Sequence, residues 1–251
     1  MNSRHILLVA RQVAQSGGQE TVRQLATAVA AELGRRGDDS PVGACFLDGE
    51  APSLVTALDQ ATDAGASEIV LVPTHLPPDR YLDVWLRRTH GHWVQTRGDQ
   101  CASGLPTVAV TAPLALQPEL VSTILAALAD PVTAIGGVPG PFRSPAWSTI
   151  PRHRHHVLVC RGPRCAAYGA AAAADALSER IAAAGLADDT LVTSTGCLFP
   201  CNLGPLVVVH PEDVWYTAVD EELAGRIIDE HLAQGRVVAD SRATTRLTTG
   251  R

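Results

Sequence analysis

Four cysteines in the second half of the chain constrain its fold most: Cys160 and Cys165 are spaced C-x4-C, Cys197 and Cys201 C-x3-C, with 31 residues between the pairs. Bridged ferric iron takes four polarisable, negatively charged sulfurs, two on each iron, and thiolates supply them at neutral pH. The two pairs therefore read as the ligands of one [2Fe–2S] cluster. The run from His156 to Val159 is a short β-branched strand that delivers Cys160, and Arg161-Gly162-Pro163-Arg164 is a turn able to wrap a cofactor, its arginines offsetting thiolate charge. Leu198, Phe199 and Pro200, followed by Asn202-Leu203-Gly204-Pro205, predict a tight apolar loop that shields the cluster from water and so tunes its reduction potential. A four-cysteine zinc site and a disulfide are the other uses of such residues. Cys45 and Cys101 have no close partner and read as ordinary thiols.

Residues of about 155 to 236 resemble the thioredoxin-like [2Fe–2S] ferredoxins, including the small [2Fe–2S] subunit of respiratory NADH dehydrogenase. The resemblance is carried by the cysteine spacing and by the phrase from Ser194 through Cys197-Leu198-Phe199-Pro200-Cys201 and Asn202-Leu203-Gly204-Pro205 to Val214-Trp215-Tyr216. It implies that Cys160, Cys165, Cys197 and Cys201 bind the iron of a [2Fe–2S] cluster.

At 251 residues the chain has length for two domains, each able to bury a core without disulfides. A net charge of −6 with no basic stripe counts against a nucleic-acid or anionic-membrane partner; Arg152-His153-Arg154-His155-His156 is the single basic cluster. The apolar run Ile6 to Ala10 is too short for a signal peptide and is cut by Arg11 and Gln12, and no stretch reaches the roughly 18 apolar residues of a membrane span. The expected location is cytoplasmic, where thiols stay reduced.

Gly136-Gly137, Pro139-Gly140-Pro141 and Ser144-Pro145 mark a linker over residues 131–153, between a domain at 1–130 and one at 154–237, with a polar, disordered tail at 238–251. Before the linker, strands at Ile6 to Ala10, Val42 to Leu47, Glu68 to Pro73 and Thr107 to Thr111 alternate with helices. The helices are marked by the stripe Val22, Leu25, Ala26, Val29, Leu33, by Leu54 to Ala61 after Pro52, by Asp79 to Thr89, and by Leu120 to Leu128. After it, the pattern is β-α-β-β-β-α, closing on a helix capped by Asp220 and ended by Gly235. The expected fold class is α/β: a doubly wound parallel-sheet domain followed by a thioredoxin-like ferredoxin domain, with ligands at the carboxyl ends of the first domain's strands.

The first domain, over about residues 4 to 130, is similar to the CbiX-type sirohydrochlorin cobaltochelatases and ferrochelatases. The similarity lies in Ile6-Leu7-Leu8-Val9, Phe46-Leu47, Ala51-Pro52-Ser53-Leu54, Ile69-Val70-Leu71-Val72-Pro73 and Ala112-Pro113-Leu114. In that family a histidine in Gly-His-Gly-Ser after the first strand, and a second one eight residues past the proline of the third strand, bind the incoming metal and take pyrrole protons. Here Ala10-Arg11-Gln12 follows Val9, and the second position is Tyr81. His75, two residues beyond Pro73, is the remaining imidazole on the right loop, so His75, Arg11 and Tyr81 are the candidate residues of this domain. Arg11 is a permanent cation, expected to repel a divalent metal and attract a carboxylate, of which tetrapyrroles carry many. His90, His92, His153, His155 and His156 read as solvated.

The resemblance implies a tetrapyrrole-binding domain that has lost metal insertion, or an active chelatase, a lyase acting on Co2+ or Fe2+; whether the chain is an enzyme stays open at this point. One such unit is about half of a two-lobed family member, so a homodimer is expected. The combined expectation is a [2Fe–2S] electron carrier with a chelatase-like domain, linked to cobalamin or sirohaem biosynthesis, and the sequence names no redox partner protein. The alternatives are an active chelatase with an accessory cluster, and a non-redox protein holding zinc through the four cysteines.

Overall fold

Two four-stranded sheets, one on each side of the linker, carry the chain. The structure is a computed structural model and describes residues 3–11, 18–76, 80–98, 104–129 and 148–243. In the first sheet β1 (Arg4–Ala10) lies parallel between β2 (Val42–Phe46) and β3 (Glu68–Pro73), and β4 (Thr107–Val110) extends it beyond β3. The crossovers hold α1 (Gly18–Arg35), α2 (Leu54–Asp63) and α3 (Arg80–Arg97), and α4 (Glu119–Ala129) follows β4. The order β2-β1-β3-β4 is that of a doubly wound sheet, which gathers the strands' carboxyl ends on one edge. Val9, Leu47, Leu54, Leu58, Ile69, Leu82 and Trp93 fill the core.

Local chemistry explains most boundaries. Ser53 caps α2 by accepting from the Thr56 N–H, a contact worth about 1 kcal/mol. α3 runs eight residues past the expected end at Thr89. Gly91 costs about 1 kcal/mol inside a helix, but continuing it buries the Trp93 indole, whose N–H donates to Asp59 at 3.0 Å. Burying 150–250 Å² of tryptophan is worth roughly 4 to 6 kcal/mol, so packing overrides propensity. The stripe on α1 is less buried than its periodicity predicts, with only Ala26 enclosed, and α4 has no buried residue at all among those described.

In the second sheet β5 (His155–Cys160) pairs in parallel with β6 (Thr190–Thr195) and antiparallel with β7 (Val207–His210), which pairs with β8 (Val214–Tyr216). α5 (Pro163–Ala167) and α6 (Ala170–Ala183) link β5 to β6, so a short helix that periodicity did not predict precedes the alanine-rich one. α7 (Glu221–Arg226) starts on Asp220, whose carboxylate accepts from Leu223 N–H at 2.8 Å, and continues in π form over Ile227–Leu232. Gly235 ends it at φ +70, as expected of a residue in the left-handed region.

Two expectations fail here. His155 is buried rather than solvated, because β5 begins one residue early and strand alternation turns His155, Val157 and Val159 to the core. His156 faces the other way and bonds to the Thr193 hydroxyl at 2.8 Å. The tail is ordered through residue 243: Val238 is buried and donates its N–H to the Tyr216 hydroxyl, and Arg242 bridges to β8 at Tyr216. Residues 244–251 and the linker from 130 to 147 lie outside the described residues. Among the described residues no helix is long and apolar enough to cross a membrane.

Three histidines are held below their ordinary pKa: His231 and His90 chiefly by burial, and His156 by burial and then by His153 and His210. Each is neutral in the folded chain at a pH where the unfolded chain takes up a proton. Stability is therefore full above about pH 6.5 and declines as pH falls below it. The melting temperature is expected to drop between about pH 7 and about pH 5.5, and His231→Gln to flatten part of that slope. An unchanged slope in the variant would remove His231, which bonds the Tyr216 hydroxyl at 2.9 Å, from this account.

Candidate metal centre

β5 ends on Cys160, and the turn Arg161-Gly162 leads into α5, where Pro163 takes the first helical position and Cys165 lies in the first turn. Both thiols are buried. The β5–β6 register sets Cys160 beside Thr195, so the loop after β6 starts next to it; Cys160 Sγ is 3.5 Å from the Gly196 carbonyl. In that loop Cys197 Sγ and Cys201 Sγ lie 3.2 Å apart, and the Phe199 N–H donates to Cys197 Sγ at 3.4 Å.

Two glycines let the loops that carry the two pairs approach each other. A Cβ on Gly204 would sit 2.6 Å from Cys165 Sγ, and one on Gly162 would sit 3.0 Å from Cys197 Cα. The two pairs are electrostatic neighbours. A hydrogen bond from Cys165, with backbone N–H groups of Leu198 and Gly162, lowers the Cys160 thiol to about 6 against its burial. Cys165, which donates that bond and is itself buried, is pushed up. Burial, then Cys197, raises Cys201 to about 11, while the Arg164 guanidinium opposes the rise. Among the described residues no three of these sulfurs are gathered as a preformed metal site, and the fit to a [2Fe–2S] cluster lies in the donor set: two thiol pairs with N–H donors aimed at Cys160 and Cys197.

The loop shields this centre on one side only. Phe199 adopts φ +86, which points its N–H at sulfur and leaves its ring 89% exposed, and Cys197 is exposed as well. The expected apolar cover is thus replaced by an open edge at Cys197–Cys201 over a buried pair at Cys160–Cys165. These four and Cys45 are free thiols. Cys45 is enclosed in the first core, where burial raises it to about 12. Cys101 lies outside the described residues.

The carboxyl ends of the first sheet meet this centre. Arg161 and Gly49 exchange hydrogen bonds across the junction, Gly49 N–H to the Arg161 carbonyl at 3.0 Å and the Arg161 guanidinium to the Gly49 carbonyl. Arg11 and Tyr81 come together, with the guanidinium 4.7 Å from the ring centroid. Arg11 also pairs with Asp48 at 3.0 Å, which corrects the expectation of an uncompensated cation there. Sequence reasoning missed Asp48; its one signal is a carboxylate directly after the apolar end of β2. Burial raises the Tyr81 phenol, Arg11 opposes, and charge on Cys197 raises it further, so the two candidate sites are electrostatic neighbours. His75 is half-buried on the loop after β3, which Thr74 ties to the end of β1 by donating to the Val9 carbonyl.

Residues 144–232 match the family model of the thioredoxin-like [2Fe–2S] ferredoxins, and residues 6–78 match that of CbiX. The chain is 31% identical over 93 residues to a 2Fe–2S ferredoxin of Clostridium pasteurianum, covering 34% of this chain and 91% of that protein. It is 37% identical over 92 residues to one of Aquifex aeolicus, covering 33% and 83%. Among solved structures, a thioredoxin-like [2Fe–2S] ferredoxin from Aquifex aeolicus aligns with a TM-score of 0.35 at 34% identity, covering 37% of this chain and 92% of that one. A cobalamin biosynthesis CbiX protein from Marinobacter aquaeolei aligns at 0.41 and 19%, covering 50% and 94%. The chain belongs to the thioredoxin-like [2Fe–2S] ferredoxins, and residues 6–78, ahead of that unit, match the CbiX model.

Proposed function

We propose that the chain is a one-electron carrier whose [2Fe–2S] cluster is held by Cys160, Cys165, Cys197 and Cys201, acting in cobalamin or sirohaem biosynthesis. The observation that carries it is two cysteine pairs on neighbouring loops, one buried and one at an exposed edge, near enough for Cys201 to feel the charge of Cys160. When bound, the cluster supplies reversible one-electron transfer. Cys160 and Cys165 fix it inside the fold, the N–H of Phe199 stabilises the thiolate at Cys197, and the exposed side is where a redox partner protein docks. The CbiX match supports the pathway, with a tetrapyrrole at the strand ends near Arg11, Asp48 and Tyr81. Substitution of both family histidines makes insertion of Co2+ or Fe2+ the weaker reading. A second copy of the chain covers the apolar face of α4, where Val121, Leu125 and Leu128 are each at least 60% exposed. The test is one preparation assayed for iron, acid-labile sulfide, the electron paramagnetic resonance of the reduced state, and mass by light scattering. Two irons and two sulfides per chain in a dimer are expected. Zinc in place of iron would overturn the redox assignment, and a monomer at micromolar concentration the dimer.

A further inference from the structure

α3 of the first domain and α5 of the second flank a cleft of about 560 Å³ at the domain junction, one helical turn along α3 from Tyr81. Its floor is Trp85, which is 9% exposed. Two guanidinium groups approach that indole, Arg88 at 5.3 Å from the ring centroid and Arg164, from the other domain, at 5.7 Å. Each contact is a cation–π attraction, and among the described residues neither arginine has a carboxylate partner, Arg164 bonding instead the Asn202 amide oxygen. Some arginines elsewhere do, Arg97 with Asp63 and Arg226 with Glu230 and Asp240, while Arg236 bonds an amide, that of Gln234. The cleft between α6 and α7 is lined by four carboxylates and two arginines and is net negative. Among the described residues no carboxylate lines the one at the junction.

The remaining lining groups are hydrogen-bonding ones. His92 meets Tyr168 edge-on, at 4.9 Å between centroids and 89°, and closes one wall; Gln95 adds an amide. Arg164 bonds the Asn202 amide oxygen and faces Cys201, yet it and Arg88 both line a cleft that has no carboxylate among its described residues, which leaves the cleft net positive. Guanidinium forks bind phosphate and carboxylate oxygens in pairs, which matches this geometry.

We propose that this cleft binds a small polyanion through phosphate or carboxylate oxygens, with Arg88 and Arg164 as its anchors. A ligand there touches both domains and holds the cluster-bearing unit against the chelatase-like one. The inference does not depend on the tetrapyrrole reading, because the probes that test it are not tetrapyrroles.

The test is calorimetric titration of the full-length holoprotein with pyrophosphate and with citrate at constant ionic strength, for wild type, Arg88→Gln and Arg164→Gln. The expected result is one saturable site, weakened at least about tenfold by either substitution, since one charge-assisted contact is worth 1.5–3 kcal/mol. Arg164 precedes a cysteine of the cluster, so iron content is measured alongside. If Arg164→Gln loses iron, Arg88→Gln, on the other domain, decides the matter. Tighter binding of pyrophosphate identifies a phosphate-bearing ligand, and tighter binding of citrate a polycarboxylate; both uphold the site. No saturable binding of either probe, or equal affinity in wild type and Arg88→Gln, overturns it.

Discussion

Cys160→Ala and Cys165→Ala are expected to yield protein without the thiolate-to-iron absorption in the visible and with iron reduced to background. Each removes one of four thiolates from the buried side of the centre, where neither water nor another cysteine can take its place. Cys197→Ser and Cys201→Ser, at the exposed edge, should bleach the cluster or make it labile, because a serine hydroxyl is a harder and far weaker acid than a thiol. Cys45→Ser and Cys101→Ser should keep wild-type iron. A substitution that touches no ligand sharpens the test. Gly204 has φ −69, ordinary for any residue, so Gly204→Ala adds no backbone strain; its methyl would lie 2.6 Å from Cys165 Sγ and displace that sulfur. Gly196→Ala meets nothing within 4 Å. Iron analysis should show a large loss for Gly204→Ala and none for Gly196→Ala. Equal iron in both would mean that Cys165 is not a ligand.

Arg11→His combined with Tyr81→His is expected to raise Co2+ affinity by roughly tenfold or more and to increase any insertion of metal into sirohydrochlorin. The gain has two sources. Two neutral imidazoles replace a permanent cation and a phenol that burial keeps protonated. Asp48, which now pairs with Arg11, would also lose that cation and offer a carboxylate to the same ion. Restoring either histidine alone should give less, and Arg11→His more than Tyr81→His, because it removes a cation and releases Asp48 together. Cobalt titration of the holoprotein, followed by its visible spectrum, reads the effect. Wild-type protein that already inserts cobalt or iron rapidly would sink the view that this domain has lost its chelatase chemistry, and His75 would then be the residue to substitute.

Periodicity and cap chemistry made much of the fold legible. The strand at Glu68–Pro73 and the Asp220 and Gly235 ends of the last helix follow from residues adjacent in the chain. What escaped depended on distant partners. The far half of α3 exists because Trp93 reaches Asp59 on another helix. The ordered residues after 237 depend on a hydroxyl of β8. His155 reads as part of a basic linker until the strand's start is known, since a one-residue change in where a strand begins decides which side chains face the core.

The sequence by itself determined the kind of centre this chain builds. Thiolate chemistry and the C-x4-C and C-x3-C spacings single out the four cysteines as the candidate ligands without coordinates, because ligand type and short-range spacing are properties of adjacent residues. Only the tertiary structure decided how that centre is exposed and what stands beside it. The open edge comes from a single backbone angle at Phe199, and the neutralisation of Arg11 comes from Asp48 on a different strand end. The pairing of Arg88 with Arg164 over Trp85 joins residues from two domains. Burial and charge at a site are sums over neighbours that lie far apart in the chain, and folding alone brings those neighbours together.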